Sequence, residues 1–506
     1  MNTQPYSIMS PVMGLRKDMP GILLQEAYNS ESSNIRFISG EVKKAYGLLA
    51  DFGGVQPSGT DPIIHYHRLI KKTGDEYPFV FTKDKIYLWN GSAYVLQFTS
   101  NGTVTHWESI TFNDTVIVTN GVDEVQKWNG TNAFEPLGTA SGLDIGGGSY
   151  CTAARHITVY ENYIILGYVI DAGATHPQRI RWCSIGDETM WTGGDSGAGY
   201  IGNEDFISGF GHYQGQLVIF KQRSIHRLWL VSASTVFATA PVLKDFGCIA
   251  PDSVVNDGLG HLFYFATDKT FKAFPNTTIS TPLANDIMTH FKDTLISYIR
   301  SYYNKADNEV WWAVPYGSGV ENNNRVFVFK ENYWSILDMA ISAFGQYKLT
   351  SNLTWDSITE GWDSYVGTWD STTGDEGAPT ELAADFSGYI FQLNKTIDNK
   401  EGYIVLNSDL QSKGGLPFFK RILSVQTYFR NGSNGDTVKI EIKRDDESVW
   451  QDIGNVNLYS STGESVVITS MPCDLRGKTF KFKISGSNDF SFLGMIIKFI
   501  PSGAQR

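Results

Sequence analysis

The sequence predicts an all-β fold, and three observations support this prediction. Short runs of β-branched and aromatic residues recur about every 8 to 12 residues between positions 60 and 395, separated by Gly, Asn and Asp. The chain contains 50 glycines, and 13% of its 506 residues are aromatic, which is typical of a β protein rich in turns. Helix signals are nearly absent, and the strongest is the short run at 285–291.

A short phrase that repeats along the chain narrows the fold class. It consists of a strand, an aromatic residue and Asn-Gly, and it occurs at 85–91 (KIYLWNG) and at 124–130 (EVQKWNG). Asn-Gly favours tight hairpins because both residues tolerate a positive φ. A period of about 40 residues with several short strands is typical of β-propeller blades.

Further blade-like phrases follow with unequal spacing. They lie at 179–184, 224–229, 269–274, 325–329 and 389–393. This pattern predicts five to seven blades. We favour six, because the two ends of a propeller usually share a blade.

The chain divides into three regions by pattern. Residues 1–50 are expected to form an N-terminal arm with closing strands, including a strand pair at 33–37 and 41–44. Residues 51–400 are predicted to form the propeller. In residues 401–506 polar and apolar positions alternate, which predicts a separate β-sandwich-like domain.

One insertion, at 354–371, repeats the unit Trp-Asp-Ser three times. Asp, Ser, Thr and Gly fill the gaps, which favours turns over a helix. In the interpretation we favour, each Trp fills a gap between blades while its Asp caps a turn; alternatively, the cluster contacts a glycan or a cation. The candidate residues are Trp355, Asp356, Trp362, Asp363, Trp369 and Asp370.

Charge and cysteine content exclude some classes. The net charge of −12 argues against a protein that binds DNA through its phosphates. An acidic surface repels DNA, which suits a channel through which DNA slides without binding. No apolar run reaches the length of a membrane span. A zinc site or a disulfide framework is not indicated by the four dispersed cysteines, Cys151, Cys183, Cys248 and Cys473.

Motifs for known chemistry are missing from the sequence. There is no P-loop, no GxSxG elbow and no HExxH helix. His65 and His67 share one side of a predicted strand, but a core or edge position is favoured over a metal site. We therefore expect no enzyme, no catalytic, cofactor-binding or metal-binding residues, and no cofactor. Propeller glycosidases gather carboxylates at the axis, and the candidates here are Asp171, Asp187, Asp205 and Asp268.

Three passages in the middle of the chain resemble a known family. They are 176–184 with Trp191, 217–229 with 246–255, and 260–268. Together they resemble the tail hub, or packaged-DNA stabilisation protein, of short-tailed and related tailed bacteriophages. The early segment at 34–47 is similar to the opening of that family.

The resemblance implies a structural virion protein of the tail. Such a protein forms a ring, with six copies favoured, below the portal and adaptor proteins. It continues and closes the DNA channel, retains packaged DNA and anchors fibre, spike or needle proteins, while double-stranded DNA passes without sequence-specific contacts. The expected location is the virion tail, after synthesis in the host cytoplasm. The alternative is a carbohydrate-binding or glycan-degrading propeller, suggested by the Trp-Asp-Ser unit.

Overall fold

The computed structural model confirms that the chain is all-β. The Trp-Asp-Ser insertion, with its six candidate residues, lies outside the described part of the chain. The structure describes residues 3–11, 13–20, 24–25, 27–38, 40–50, 55–57, 59, 61–102, 104–202, 205–232, 235–347, 379–396, 400–408, 419–445, 447–461 and 463–502.

The N-terminal strands contribute to both structural units. The predicted strand pair at 33–37 and 41–44 is confirmed, since β3 and β4 pair as an antiparallel hairpin. The first four strands join the C-terminal sandwich, whereas the fifth joins the propeller. These strands are β1 (Gln4–Met9), β2 (Glu31–Ser33), β3 (Ile35–Ile38), β4 (Glu41–Lys44) and β5 (Gly47–Ala50).

Among the residues that the structure describes, seven antiparallel sheets, each built mainly from consecutive strands, form the blades. Blade 1 consists of β6 (His65–Ile70), β7 (Glu76–Phe81), β8 (Lys85–Trp89) and β9 (Tyr94–Thr99). Blade 2 consists of β10 (Glu108–Phe112), β11 (Thr115–Thr119), β12 (Gln126–Trp128) and β13 (Glu135–Pro136). Blade 3 has an extra short strand and consists of β14 (Leu143–Asp144), β15 (Tyr150–Tyr160), β16 (Tyr163–Asp171), β17 (Ala174–Trp182) and β18 (Gly197–Tyr200).

The remaining four blades continue in chain order. Blade 4 consists of β19 (Ile207–Tyr213), β20 (Gln216–Lys221), β21 (Ser224–Leu230) and β22 (Phe237–Lys244). Blade 5 consists of β23 (Val255–Asn256), β24 (Leu262–Phe265), β25 (Phe271–Ala273) and β26 (Thr277–Thr278). Blade 6 consists of β27 (Arg300–Asn304), β28 (Glu309–Val314), β29 (Arg325–Lys330) and β30 (Tyr333–Leu337). Blade 7 consists of β31 (Ala343–Tyr347), β32 (Thr380–Ala384), β33 (Ile390–Thr396) and, from the N-terminal region, β5.

The blades close into a ring. The inner strands of neighbouring blades (β15 in blade 3 and the first strand in each of the others) contact one another in order, and β31 of blade 7 contacts β6 of blade 1. Blade 7 is completed by β5, which pairs with β33 as its outer strand. Seven blades lie within the predicted range, but the favoured number, six, is wrong. Each of the seven phrases in the sequence lies in a different blade. The prediction of six assumed that the two ends of the propeller share a blade. The segment β5 does complete blade 7, but it adds a strand to that sheet and does not lower the number of sheets.

The Asn-Gly phrases close the loop between the third and fourth strands of blades 1 and 2. Gly91 and Gly130 have φ values of +96° and +107°, which favour glycine. Asn90 caps its loop instead, because its side-chain oxygen accepts hydrogen bonds from the backbone N–H groups of Ser92 and Ala93 at 3.0 and 2.9 Å. At 90–91 the glycine therefore supplies the positive φ, and the side chain of the preceding asparagine caps the loop.

Helical structure in the described residues lies between blades 4 and 6. The predicted helix at 285–291 is confirmed as α1 (Ala284–His290). None of the helices in the described part of the chain is long and apolar enough to cross a membrane. Short 3₁₀ turns occur at Pro251–Ser253, Thr281–Leu283 and Asp293–Tyr298.

The C-terminal strands form the predicted sandwich. One sheet has the order β3-β4-β40-β35-β38, with β1 also paired to β40, and the other has the order β2-β34-β39-β36-β37. The inward side chains of both sheets, including Val42, Ile440 and Ile497, share one apolar core. The strands are β34 (Gly402–Ser408), β35 (Phe419–Arg430), β36 (Thr437–Arg444), β37 (Gln451–Asn457), β38 (Val466–Gly477), β39 (Phe480–Gly486) and β40 (Ser491–Ser502).

A buried ion pair joins the N-terminal strands to blade 6. Arg36 on β3 lies 2.7 Å from carboxylate oxygens of both Asp307 and Glu309. Glu309 is 2% exposed, and it also accepts a hydrogen bond from the indole N–H of Trp311 at 3.0 Å. Asn34 adds a backbone bond from its N–H to the carbonyl of Ile336 at 3.0 Å.

Candidate functional site at the propeller axis

A cavity of about 310 Å³ lies at the axis of the ring, lined by residues at the inner strands of six blades and by the segment that precedes blade 5. This follows from propeller geometry, because the inner strand of each blade lies nearest the axis. The lining residues are Ile64, His65, Tyr66, Glu108, Ser109, Ile157, Thr158, Phe210, Pro251, Asp252, Val254, Arg300, Ser301, Ala343 and Phe344.

A connected cluster of five titratable side chains lies beside this cavity, and three of them, Glu108, Asp252 and Arg300, line it. Glu108 Oε1 lies 2.9 Å from His106 Nε2 and 2.6 Å from His156 Nδ1. The other ring nitrogen of His106, Nδ1, lies 3.1 Å from Asp252 Oδ2. Arg300 Nη1 lies 2.7 Å from the same Asp252 oxygen. We call these five residues the axial cluster.

Local backbone structure places each member of the axial cluster. Glu108 is the first residue of β10, and its other oxygen accepts the backbone N–H of Ile157 on β15 at 2.7 Å. Asp252 lies in the 3₁₀ turn before blade 5, and its backbone carbonyl accepts the Ser301 hydroxyl at 2.7 Å. Arg300 begins β27. These bonds hold the carboxylates where side chains from four blades meet.

Mutual attraction keeps the cluster charged despite its burial. Burial lowers the pKa of His106, but the Asp252 carboxylate and the hydrogen bonds to Asp252 and Glu108 raise it to about 9. Burial raises the pKa of Glu108, but His156 and His106 lower it to about 2. Burial likewise raises the pKa of Asp252, which Arg300 and His106 hold below its usual range. Both carboxylates are therefore anions at neutral pH.

His65 and His67 lie on β6, and His65 lines the axial cavity. Ser109 bridges them, with its hydroxyl oxygen 2.7 Å from His65 Nε2 and 2.8 Å from His67 Nδ1, and Thr111 contacts His67 Nε2 at 3.0 Å. Burial lowers the pKa of His65 to about 4 and that of His67 to about 3. Both rings are thus neutral hydrogen-bonding groups at neutral pH.

The four carboxylates suggested by the sequence do not converge, and none of them lines the axial cavity among the residues that the structure describes. Asp171 forms a buried ion pair with Arg181 at 2.7 Å in blade 3. Asp268 pairs with Lys272 at 2.9 Å in blade 5. Asp187 and Asp205 accept hydrogen bonds in turns.

The axial cluster closes the passage through a single propeller. His106 precedes blade 2 and Asp252 precedes blade 5, and these blades are not neighbours in the ring. Their contact at 3.1 Å therefore spans the axis. A DNA duplex, whose major groove alone is about 12 Å wide, cannot pass at this level.

The chemistry available at the cluster is binding by fixed charges. A glycosidase of the usual kind needs one carboxylic acid with a raised pKa beside a second carboxylate. Glu108 and Asp252 are both anionic, so neither of them is such an acid. Among described residues, two imidazoles and a carboxylate gather closely enough to hold a metal ion, namely His106, Glu108 and His156.

Comparison with family models and with curated proteins finds no match to the sequence. Solved structures do align. An exo-beta-1,3-galactanase from Phanerochaete chrysosporium aligns over 88% of this chain and 100% of its own, at 11% identity and a TM-score of 0.24. A protein described as a glycoside hydrolase aligns over 86% and 100%, at 12% identity and 0.25. PorZ, a surface component of the type-IX secretion system of Porphyromonas gingivalis, aligns over 74% of this chain and 44% of its own, at 8% identity and 0.35.

These alignments correct one expectation from the sequence, namely that the chain is not an enzyme. Two of the three structures are carbohydrate-active enzymes that align over most of the chain, so the exclusion of catalysis is withdrawn. TM-scores of 0.24 to 0.35 assign no activity or substrate to this chain. None of the three is described as a bacteriophage protein.

Sequence reasoning missed the axial cluster, although one signal for it was present. A histidine recurs at or just before the inner strand of each of the first four blades: His65, His106, His156 and His212. Once the blades are assigned, histidines that recur at the inner strands are expected to lie together around the propeller axis. Asp252 and Arg300 carry no comparable sequence signal.

Proposed function

We propose that this chain is a structural protein of a bacteriophage tail, a hub that forms a ring of copies around the DNA channel. One observation carries the proposal: the three passages that resemble the tail-hub family build one continuous arc of the propeller. They correspond to β17 of blade 3, to β20 and β21 of blade 4, and to the segment from the 3₁₀ turn through β24 of blade 5.

Burial supports a structural role for the passages that resemble the family. Phe220, Cys248 and Tyr264 are fully buried, and they pack in one apolar cluster between blades 4 and 5. Ser253 in the same arc is also buried, and its hydroxyl accepts the backbone N–H of Phe265 at 2.9 Å. The resemblance therefore rests on the residues that fix the blade junction.

The closed axis determines how a hub of this kind would carry DNA. Because the axial cluster spans the propeller, the duplex would run through a channel enclosed by several copies. The net charge of −12 suits the wall of such a channel, since repulsion of phosphates reaches only about 8 Å at physiological salt and limits sticking. Retention of DNA would then depend on a steric gate.

Immunogold electron microscopy of virions tests the location. An antibody against this chain should label the tail, distal to the portal and adaptor. Label on the capsid alone, or virions without the protein, would exclude a tail hub. A ring in the purified protein is not required, because the proposal allows the adaptor to be needed for ring assembly.

A second candidate function, glycan binding, is favoured by the axial cavity. Its volume of about 310 Å³ lies at the lower end of the range for ligand pockets, and Ser109, Thr158 and Ser301 line it together with Phe210 and Phe344. A lining of polar and aromatic residues suits a sugar.

A glycan array with the full chain tests this candidate, and hydrolysis products are assayed in the same samples. Binding that is lost in Ser109→Ala assigns it to the axis, whereas loss in the triple variant of Trp355, Trp362 and Trp369 to Ala assigns it to the insertion. No binding by the wild-type chain would remove the glycan function.

A further inference from the structure

We propose that His106, Glu108 and His156 form a binding site for a divalent transition-metal ion of the zinc class at the propeller axis. Their ligand atoms all lie within 4.8 Å of one another, and two of the separations, 2.9 and 2.6 Å, are hydrogen bonds to the same Glu108 oxygen. The site goes beyond the proposed tail and glycan functions, and it needs neither of them.

The outer contacts of His106 resemble those of a metal ligand. Metal-binding histidines usually donate their second ring N–H to a carboxylate, which fixes the tautomer and orients the ring. Here His106 Nδ1 faces Asp252, and Asp252 is itself held by Arg300 at 2.7 Å. While Nδ1 keeps its proton toward Asp252, an ion that displaces the proton between Nε2 and Glu108 meets the Nε2 lone pair.

His156 presents Nδ1 to the position between the ligands. This side chain is 1% exposed, and its Nδ1 lies 2.6 Å from the Glu108 oxygen. Its Nε2 points away from Glu108 and has no hydrogen-bond partner among the described residues. An ion at the cluster would therefore bind His156 through Nδ1, in place of the proton between Nδ1 and Glu108.

The donor set selects the class of ion. Two imidazoles and one carboxylate suit zinc and neighbouring transition metals, whereas calcium and magnesium prefer oxygen ligands throughout. Once an ion has displaced the protons between the histidines and Glu108, the remaining charges of Glu108, Asp252 and Arg300 leave one net negative charge, which favours a dication. Because metal–ligand distances are about 2.0–2.2 Å, the ligand atoms must separate by a few tenths of an ångström as the ion replaces the shared proton.

Metal binding by the full chain tests the site. The tag-free protein is stripped with a chelator and titrated with Zn²⁺, and with Co²⁺ as a spectroscopic probe. We expect a single bound ion per chain, loss of that ion in Glu108→Gln and His156→Gln, and retention in His212→Gln. Asp252→Asn should weaken binding about 10- to 100-fold, as outer-shell changes commonly do.

X-ray absorption of the zinc-loaded wild type keeps the proposal testable if the variants fail to fold. Imidazole scattering from two histidines with one carboxylate oxygen supports the site. A chain that binds no ion, an ion without imidazole ligands, or binding that persists in both ligand variants would overturn it. The axial cluster would then be a closed hydrogen-bonded ion network.

Discussion

At the residue scale, the most consequential charge outside the axis is Arg36. It is buried between Asp307 and Glu309, and it links the N-terminal strands to blade 6. Arg36→Ala leaves Glu309 buried without its partner, which should cost about 3–5 kcal/mol and lower the melting temperature sharply.

Two further variants control this prediction. Arg421 forms an exposed ion pair with Asp474, so Arg421→Ala should leave the melting temperature almost unchanged. The double variant Arg36→Met with Glu309→Gln should recover part of the lost stability, because the amide oxygen can still accept the Trp311 N–H. A melting temperature unaffected by Arg36→Ala would contradict the structural role of the pair.

Glu381 gives a pH-dependent prediction. Burial, with a contribution from Asp307, raises the pKa of Glu381 to about 7. As the pH rises from about 4.5 to 7, the unfolded carboxyl group loses its proton before the folded one does, so this group makes the fold less stable with rising pH. Glu381→Gln should therefore stabilise the protein at pH 8 by roughly 1–2 kcal/mol, allowing for solvent screening, and hardly at pH 4.

The measurement is the difference in melting temperature between variant and wild type at the two pH values. Glu135→Gln, at an exposed carboxylate in blade 2, serves as the control and should show no such difference. An equal effect of Glu381→Gln at both pH values would show that burial does not perturb this carboxyl group.

At the element scale, closure of the ring depends on β5. Leu48 on this strand pairs with Leu393 and packs against the cluster that contains Trp311 and Leu337, whereas its neighbour Leu49 is 43% exposed. Leu48→Ala should cost about 1–2 kcal/mol, since its side chain is only partly buried, and Leu49→Ala should stay within about 0.5 kcal/mol. Thermal melts and limited proteolysis of the two variants test this; equal effects would mean that β5 does not hold the ring.

The sequence predicted most strands, because strand signals are local. Alternation in 437–442 and 479–484 predicted one wet and one buried face, as β36 and β39 show. Partners that are far apart in the chain were not predictable this way, and the pairing of β1 with β40 is the clearest example. The predicted Trp-Asp-Ser residues lie outside the described chain, and the axial cluster was missed because His106 and Asp252 meet only once seven blades have closed.

At the scale of the whole molecule, strands from both ends of the described chain, β1 and β40, pair in one sheet of the sandwich, whereas β5 completes blade 7 of the propeller. The N-terminal region thus crosses between both units, and Arg36 and Asn34 fix it to blade 6. The sandwich and the propeller are therefore joined by the N-terminal strands, and His106 and Asp252 meet across the propeller axis.

The amount of nuclease-protected DNA in particles tests the hub proposal most directly. Particles are made by a phage that lacks the gene for this chain, with and without the protein supplied from a plasmid. The account predicts heads that package DNA and then lose it, with protection restored by the supplied protein. Particles that keep their DNA and remain infectious without the protein would contradict it.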